Sequence, residues 1–415
     1  MIKHLLLAAL LITTIAFVGC AHQQNPAAPE ARELTALEKR LVESDNQFGL
    51  KLFREINQQE AATKNIFISP LSVSMALGMT LNGANGETQA AMEQTLELAG
   101  LTTEEINRSY QSLIELLTRL DPKVIFEIAN SIWYRQEMTF EQSFIDVNQQ
   151  YFDAVVKAVN FNDAETAAAL MNAWVKDKTH GKISEIIKPE AIDWQTVMFL
   201  INAIYFKGTW TYEFKKEDTR DDLFTRLDGS QSPCKMMNLT GDLSYFETAS
   251  FQAVDLPYGN ELFSMTIFLP TPPLAIDSLM EEFNQANWEG WLSGFSEQAI
   301  ELQFPKFTLE YELTMNDVLK ALGMEIAFDK DWADFTRMYH GPERLFIDEV
   351  KHKTFVEVNE EGTEAAAVTS VEVGQTSAGP SYRLMRVDHP FILVIRDHHS
   401  QTILFMGKIV EPKSE

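Results

Sequence analysis

Apolar residues at Leu37, Leu41, Phe48 and Leu52 recur at helical spacing and predict an amphipathic helix over 34–55. The run Asn65-Ile66-Phe67-Ile68-Ser69-Pro70 reads as a strand stopped by its proline. A helix over 71–81, a turn over 82–86 and a further helix from Thr88, with Thr88 as its cap, follow. Residues 124–134 predict a strand, and 144–151 and 164–178 predict helices. The second half changes character: 196–206, 243–256, 262–270, 299–309, 354–358 and 391–395 are β-branched and aromatic runs bounded by turns. Helices are few there, at 275–283, 288–294 and 314–322. Helices crowded early and strands crowded late predict an α+β fold with large, mostly antiparallel sheets.

Composition narrows the function. The 415 residues carry 60 acidic against 34 basic side chains, a formal charge of −26 that opposes binding to nucleic acid. With 45% hydrophobic residues the chain is globular, not disordered, and two cysteines build no disulfide scaffold. At the N-terminus Lys3 and His4 precede an apolar run over 5–18 that ends at Gly19-Cys20. This layout is similar to a bacterial lipoprotein signal, with Phe17 departing from the usual leucine. It implies a signal peptide over 1–19, lipid attachment at Cys20 and a proline-broken flexible tether over 20–33. A single domain then spans 34–415. The expected location is a bacterial cell envelope, anchored in an outer membrane and facing periplasm or cell surface; without the lipid, the chain is secreted.

Familiar catalytic chemistry is missing. Cys234 lies between Pro233 and Lys235 with no histidine nearby in sequence, and reads as a packed thiol, not a nucleophile. There is no Gly-x-Ser-x-Gly elbow and no glycine-rich phosphate loop. His389, His398 and His399 are close in sequence, but no Cys or carboxylate completes a metal set. These motifs point to no metal and no cofactor, and the resemblance set out next implies a chain that is not an enzyme.

Several segments then fall in the order of one family. They are 65–72 (Asn-Ile-Phe-Ile-Ser-Pro-Leu-Ser), Gly83-Ala84 with Thr88, 172–175 with 179–183 (Thr-His-Gly-Lys-Ile), and 202–210 (Asn-Ala-Ile-Tyr-Phe-Lys-Gly-Thr-Trp). Phe304-Pro305-Lys306-Phe307, 360–367 (Glu-Glu-Gly-Thr-Glu-Ala-Ala-Ala), His389-Pro390-Phe391 and 405–408 (Phe-Met-Gly-Lys) complete the series. The chain resembles the serpins, inhibitors of serine proteases. The resemblance implies the serpin fold, with helices packed around large sheets and an exposed reactive loop at about 360–383. A protease cuts this loop, the loop inserts into the central sheet, and the acyl-enzyme is trapped on a metastable fold.

The loop sequence suits that demand. From Thr363 the inward phase is Thr363, Ala365, Ala367, Thr369, Val371 and Val373, and the charges of Glu364 and Glu372 fall on the outward phase. No proline occurs before Pro380. The resemblance makes Glu360, Glu361, Gly362, Thr363, Glu364, Ala365, Ala366 and Ala367 the loop hinge, with Gly362 its flexible joint. The resemblance also implies a cut after the seventeenth residue counted from Glu360, which makes Thr376–Ser377 the expected reactive bond. Read without the resemblance, 360–367 would also suit a surface helix. Ser69, Ser72, Asn202 and His352 match the family's sheet-opening cluster, and Trp210, Lys306 and Glu360 its top-of-sheet residues. Elastase-like or subtilisin-like proteases are the expected partners, since a bait residue as small as threonine suits shallow pockets. Papain-like cysteine proteases are a further class, and the inhibitor is expected to be a monomer. The alternative is a serpin-fold binding or scaffold lipoprotein that traps nothing.

Overall fold

The computed structural model describes residues 32–272, 275–363 and 382–413. Cys20, the hinge residues from Glu364 to Ala367, and the Thr376–Ser377 bond lie outside the described residues.

Six helices fill the first half: α1 (Ala36–Gln59), α2 (Pro70–Leu81), α3 (Gly86–Thr95), α4 (Thr103–Leu117), α5 (Gln142–Phe152) and α6 (Ala164–Lys178). The first starts on a capping box, in which the Thr35 hydroxyl accepts from the Glu38 N–H and the Glu38 carboxylate accepts from the Thr35 N–H. Pro70 does not merely stop the preceding strand. It is the first residue of α2, where a missing N–H costs nothing. Thr88 does not cap α3: Asn85 holds that position, and the buried Thr88 hydroxyl accepts from the Asp334 N–H at 2.9 Å. The pattern reading passed over α4, although Thr102 and Glu105 form a second capping box before Ile106, Tyr110, Leu113 and Leu117.

Fourteen strands are described: β1 (Ile66–Ile68), β2 (Val124–Arg135), β3 (Val155–Val159), β4 (Met198–Thr209), β5 (Arg220–Thr225), β6 (Gln231–Glu247) and β7 (Phe251–Tyr258). The rest are β8 (Phe263–Pro270), β9 (Ser296–Thr314), β10 (Lys351–Asn359), β11 (Gly362–Thr363), β12 (Arg383–Arg386), β13 (Phe391–Asp397) and β14 (Ile403–Ile409). The single strand expected over 243–256 is two. The Thr248 hydroxyl accepts from the N–H groups of Ser250 and Phe251 at 3.0 and 3.2 Å, and turns the chain between β6 and β7.

Twelve strands follow one path, β1-β14-β13-β8-β7-β6-β9-β10-β11-β4-β2-β3, with β5 paired to β6 and β12 to β9 beside it, and most neighbours are antiparallel. The long β9 joins two regions: residues 296–306 pair with β6, and residues 307–314 pair with β10. Helix α2 and strand β1 back the centre, where Phe67, Phe206, Phe263 and Phe405 are buried. In the central region β10 pairs with β9, and β4 pairs with β2. Among the described residues β4 and β10 share no ladder; the two residues of β11 alone lie between them. Among the described residues the central sheet therefore has a slot between β4 and β10, closed at one end by β11.

Candidate functional site

The closed end is built by a reversal of the chain. After Asn359, the residues Glu360 and Glu361 turn it back, and β11 runs antiparallel to both banks. Thr363 lies between Val358 and Gly208, and Gly362 between Asn359 and Thr209. Gly362 has φ of +150°, and a Cβ there would sit 2.1 Å from the Gly208 carbonyl oxygen. Glycine is thus required by close approach of two backbones, beyond the flexibility expected from the sequence. Thr363 is 3% exposed, and its hydroxyl shares a hydrogen bond of 2.6 Å with the Tyr258 hydroxyl. The segment 360–363 is not helical.

Every carbonyl of the reversal has a donor. The Trp210 indole N–H donates to the Asn359 carbonyl at 3.0 Å, and the Trp210 backbone N–H donates to that of Glu361 at 2.9 Å. The Phe214 N–H donates to the Glu360 carbonyl at 3.0 Å. The Trp210 ring stacks on Tyr258, with centroids 4.4 Å apart and planes 13° off parallel. The Glu360 carboxylate is held by Lys306 at 3.0 Å and by the Thr219 hydroxyl at 2.9 Å. Burial raises the pKa of this carboxyl, but its backbone hydrogen bond, Lys306 and Thr219 outweigh burial and leave it below the ordinary value. Lys216 pairs with Glu361. Trp210, Lys306 and Glu360 thus meet at one place. Tyr258, Thr219, Phe214 and Lys216 join them, and nothing local in the sequence marks those four.

Further down the slot, the proposed opening cluster divides. The Ser69 N–H donates to His352 Nε2 at 3.0 Å, the Ser69 hydroxyl donates to the Leu404 carbonyl at 2.7 Å, and the Ser72 N–H donates to the Ser69 hydroxyl at 3.3 Å. Asn202 bonds elsewhere, donating to Asn130 Oδ1 at 2.6 Å, and its own Oδ1 is buried with no hydrogen-bond partner among the described residues. The register explains the separation. His352 lies six residues before Val358 on β10, and Asn202 six before Gly208 on β4, so they face each other across the slot. No described strand pairs with both of them at that level.

Burial in this apolar setting lowers the pKa of His352 to about 4 from its ordinary 6.5. The ring is neutral in the folded chain, which suits an acceptor for the Ser69 N–H. Because the folded pKa is depressed, the full stability is present above about pH 6.5 and falls as the unfolded chain takes up a proton that the folded chain refuses. The loss approaches about 3 kcal/mol near pH 4. Urea unfolding at pH 7 and pH 4.5 checks this: the wild type should lose more stability than His352→Gln, and equal losses would remove His352 as the cause.

The remaining expectations concern single residues. Cys234 is buried, and burial, with the nearby Asp222 carboxylate, pushes its thiol up to about 11, away from nucleophile chemistry. His398 bonds Asp255 and Ser264, His389 bonds Asp388 and the Pro270 carbonyl, and His399 bonds the Arg32 carbonyl. Their partners lie in three different places.

Comparison with known proteins agrees with this architecture. The family profile described as Serpin (serine protease inhibitor) matches residues 43–412. Neuroserpin of Homo sapiens is 33% identical over 359 residues, covering 85% of this chain and 87% of that protein. Iripin-2 of Ixodes ricinus is 34% identical over 379 residues, covering 90% and 94%. The crystal structure of the thermophilic serpin Tengpin in the native state superposes with a TM-score of 0.82 at 30% identity, covering 92% of this chain and 96% of that one. The slot, the glycine reversal that enters it and these matches lead to one conclusion: the chain belongs to the serpin family.

Proposed function

We infer that the chain inhibits serine proteases as a suicide substrate, with Thr376–Ser377 as the bond offered for attack. It is an inhibitor and not a catalyst: the chemistry is the protease's own, and the chain supplies a conformational change that stops it midway. The observation that carries this reading is the pairing of Gly362 and Thr363 with both banks of a slot whose banks do not pair with each other. After cleavage the freed segment continues along a track its first two residues already occupy. Meanwhile β12 stays paired with β9, which anchors the chain beyond the reactive loop.

The roles of individual residues follow from this reading. Residues 360–367 act as the hinge, with Trp210, Lys306 and Glu360 fixing its base. Ser69 and Ser72 at the start of α2, with His352 on one bank and Asn202 on the other, control how the sheet admits a strand. A threonine bait suits elastase-like or subtilisin-like proteases, with papain-like cysteine proteases as a further class. The N-terminal layout supports residues 1–19 as a signal peptide, Cys20 as a lipid attachment point and 20–33 as a tether to a bacterial envelope. No described helix is long and apolar enough to cross a membrane. Residues 31–415 form one compact unit, in keeping with a single inhibitory domain over 34–415.

A denaturing gel tests the central step. Mixed with subtilisin or an elastase, the protein should give a covalent adduct heavier than the intact inhibitor, and sequencing the released fragment should place the new terminus at Ser377. Clean cleavage with no adduct, at every ratio and with every serine protease tried, would leave a serpin-fold scaffold that traps nothing.

A further inference from the structure

At the end of the slot away from β11, three large aromatic side chains face solvent. Trp194, ahead of β4, is 80% exposed, Trp332 is 72% exposed, and Phe346, ahead of β10, is exposed as well. Tryptophan is mostly buried in folded chains, so two bare indoles at one end call for a partner. Both stand on tightly bonded turns. The Asp193 Oδ1 accepts from the N–H groups of Gln195 and Thr196 at 2.8 and 3.0 Å, and Arg135 donates to the Asp193 carbonyl at 2.6 Å. The Asp329 Oδ1 accepts from the N–H groups of Asp331 and Trp332 at 2.8 and 3.1 Å. Arg344 donates to the Ala333 carbonyl at 3.2 Å, which ties Trp332 to the segment leading into β10. Little backbone freedom is left to lose when these rings meet a partner.

The two sides of this end lie close together. Burial, then the charges of Asp193 and Glu349, raises the pKa of Asp348, so the residue before Trp194 is a neighbour of the residue two after Phe346. The strand register says what arrives there. Thr363 lies level with Gly208 on one bank and Val358 on the other. Continued for thirteen residues, past the first residues of β4 and β10, the same register sets position 376 level with Gln195 and Leu345. These are the chain neighbours of Trp194 and Phe346. On the inhibitory reading, position 376 carries the acylated protease, and insertion delivers it between the exposed rings.

We propose that Trp194 and Trp332, with Phe346, form a docking platform for apolar surface of the acylated protease, and that this contact sets how long the trapped complex lasts. The acyl bond already holds the protease at this end, so a modest contact acts at high effective concentration. A tryptophan offers on the order of 200 Å² to bury and is a favoured interface anchor. Contact with the platform competes with the protease's return to its active geometry, and deacylation waits on that return. Removing one indole should therefore speed release about tenfold, while the complex forms as fast and as often as before. The carboxylates of Asp193, Asp348 and Glu349 beside the rings oppose an anionic lipid surface, the other partner that exposed tryptophans suit.

This rests on the inhibitory reading above, with Thr376 as the bait, and the test separates the two. Full-length wild type, Trp194→Gln, Trp332→Gln and Leu223→Gln are each reacted with subtilisin; Leu223 is an exposed leucine on β5, outside the platform. Adduct yield is read on a denaturing gel, and release is read as returning protease activity. The expected result is wild-type yield throughout, with release about tenfold faster in both tryptophan variants and unchanged in Leu223→Gln. Hydroxyl-radical footprinting should find both indoles protected in the adduct and exposed in inhibitor cleaved without a trapped protease. If wild type forms no adduct, the inhibitory reading fails and takes the platform with it. If wild type traps but the tryptophan variants release at the wild-type rate, or the indoles stay exposed in the adduct, the platform alone is wrong. Binding of the intact chain to phosphatidylglycerol vesicles that Trp194→Gln abolishes, with release unchanged, would make the patch a lipid contact instead.

Discussion

Thr363→Arg should turn the inhibitor into a substrate: the protease cuts the loop at the wild-type rate, and the covalent adduct disappears from the gel. Thr363 occupies the first inward position of the inserting strand, with Val358 on one side and Gly208 on the other. Its hydroxyl meets Tyr258, a fully buried ring stacked on Trp210. An arginine in that position must bring a charge and a long stem into space already filled by two aromatic rings. Asp255, a buried carboxylate three residues before Tyr258 on β7, is already shared by Arg396 and His398. The arginine side chain is expelled from the seat in the intact chain, so insertion has to bury it again; a charge buried without a partner costs several kcal/mol, and each 1.36 kcal/mol on the insertion barrier slows it tenfold. Deacylation of the protease is untouched, so it wins the competition by at least about a hundredfold. The bait bond lies thirteen residues further along, which keeps recognition and cleavage intact. Titrating a fixed amount of subtilisin with each protein measures the change. If the variant traps at the wild-type stoichiometry, the inward seat of Thr363 is not on the path of insertion.

Much of the fold was legible because its elements are long and regular. Helix α6 and strand β2 were placed from spacing and from β-branched runs alone, since each buries one face over three or more turns or pairs along twelve residues. What escaped was set by contacts distant in the chain. The division between β6 and β7 depends on a single Thr248 hydroxyl inside an apolar run. The site shows the same contrast. Family motifs supplied Gly362, Trp210, Glu360 and Lys306, yet the reason for glycine is the Gly208 carbonyl, 154 residues earlier. Tyr258 carries no local mark, because its partner Thr363 lies 105 residues away. Asn202 was grouped with His352 by resemblance, but their bonding depends on whether β4 and β10 touch. Sequence fixes which residues face the slot; the width of the slot is a property of the conformational state.

That width makes the second large effect calculable. Cleaving the loop, for example with a protease used in trace amounts, should raise the unfolding temperature by about 20 °C or more. Thr363 is already seated, so insertion of residues 364–376 adds 13 residues, about 43 Å of strand, between two banks that share no ladder among the described residues. Both edges of the new strand then pair, giving on the order of 20 hydrogen bonds at about 1 kcal/mol each, and its alanines and valines leave water. The β11 register also carries Thr369, an inward-phase residue, to the level shared by Asn202 and His352. There its hydroxyl can donate to the Asn202 Oδ1 that has no partner among the described residues, relieving one buried unsatisfied group. On the inhibitory reading the gain is withheld until the bond is cut, because the chain beyond the bond is held by the pairing of β12 with β9. Calorimetry of intact and cleaved protein decides the matter. If the two melt together, the slot stores no free energy and the trapping mechanism has no driving force.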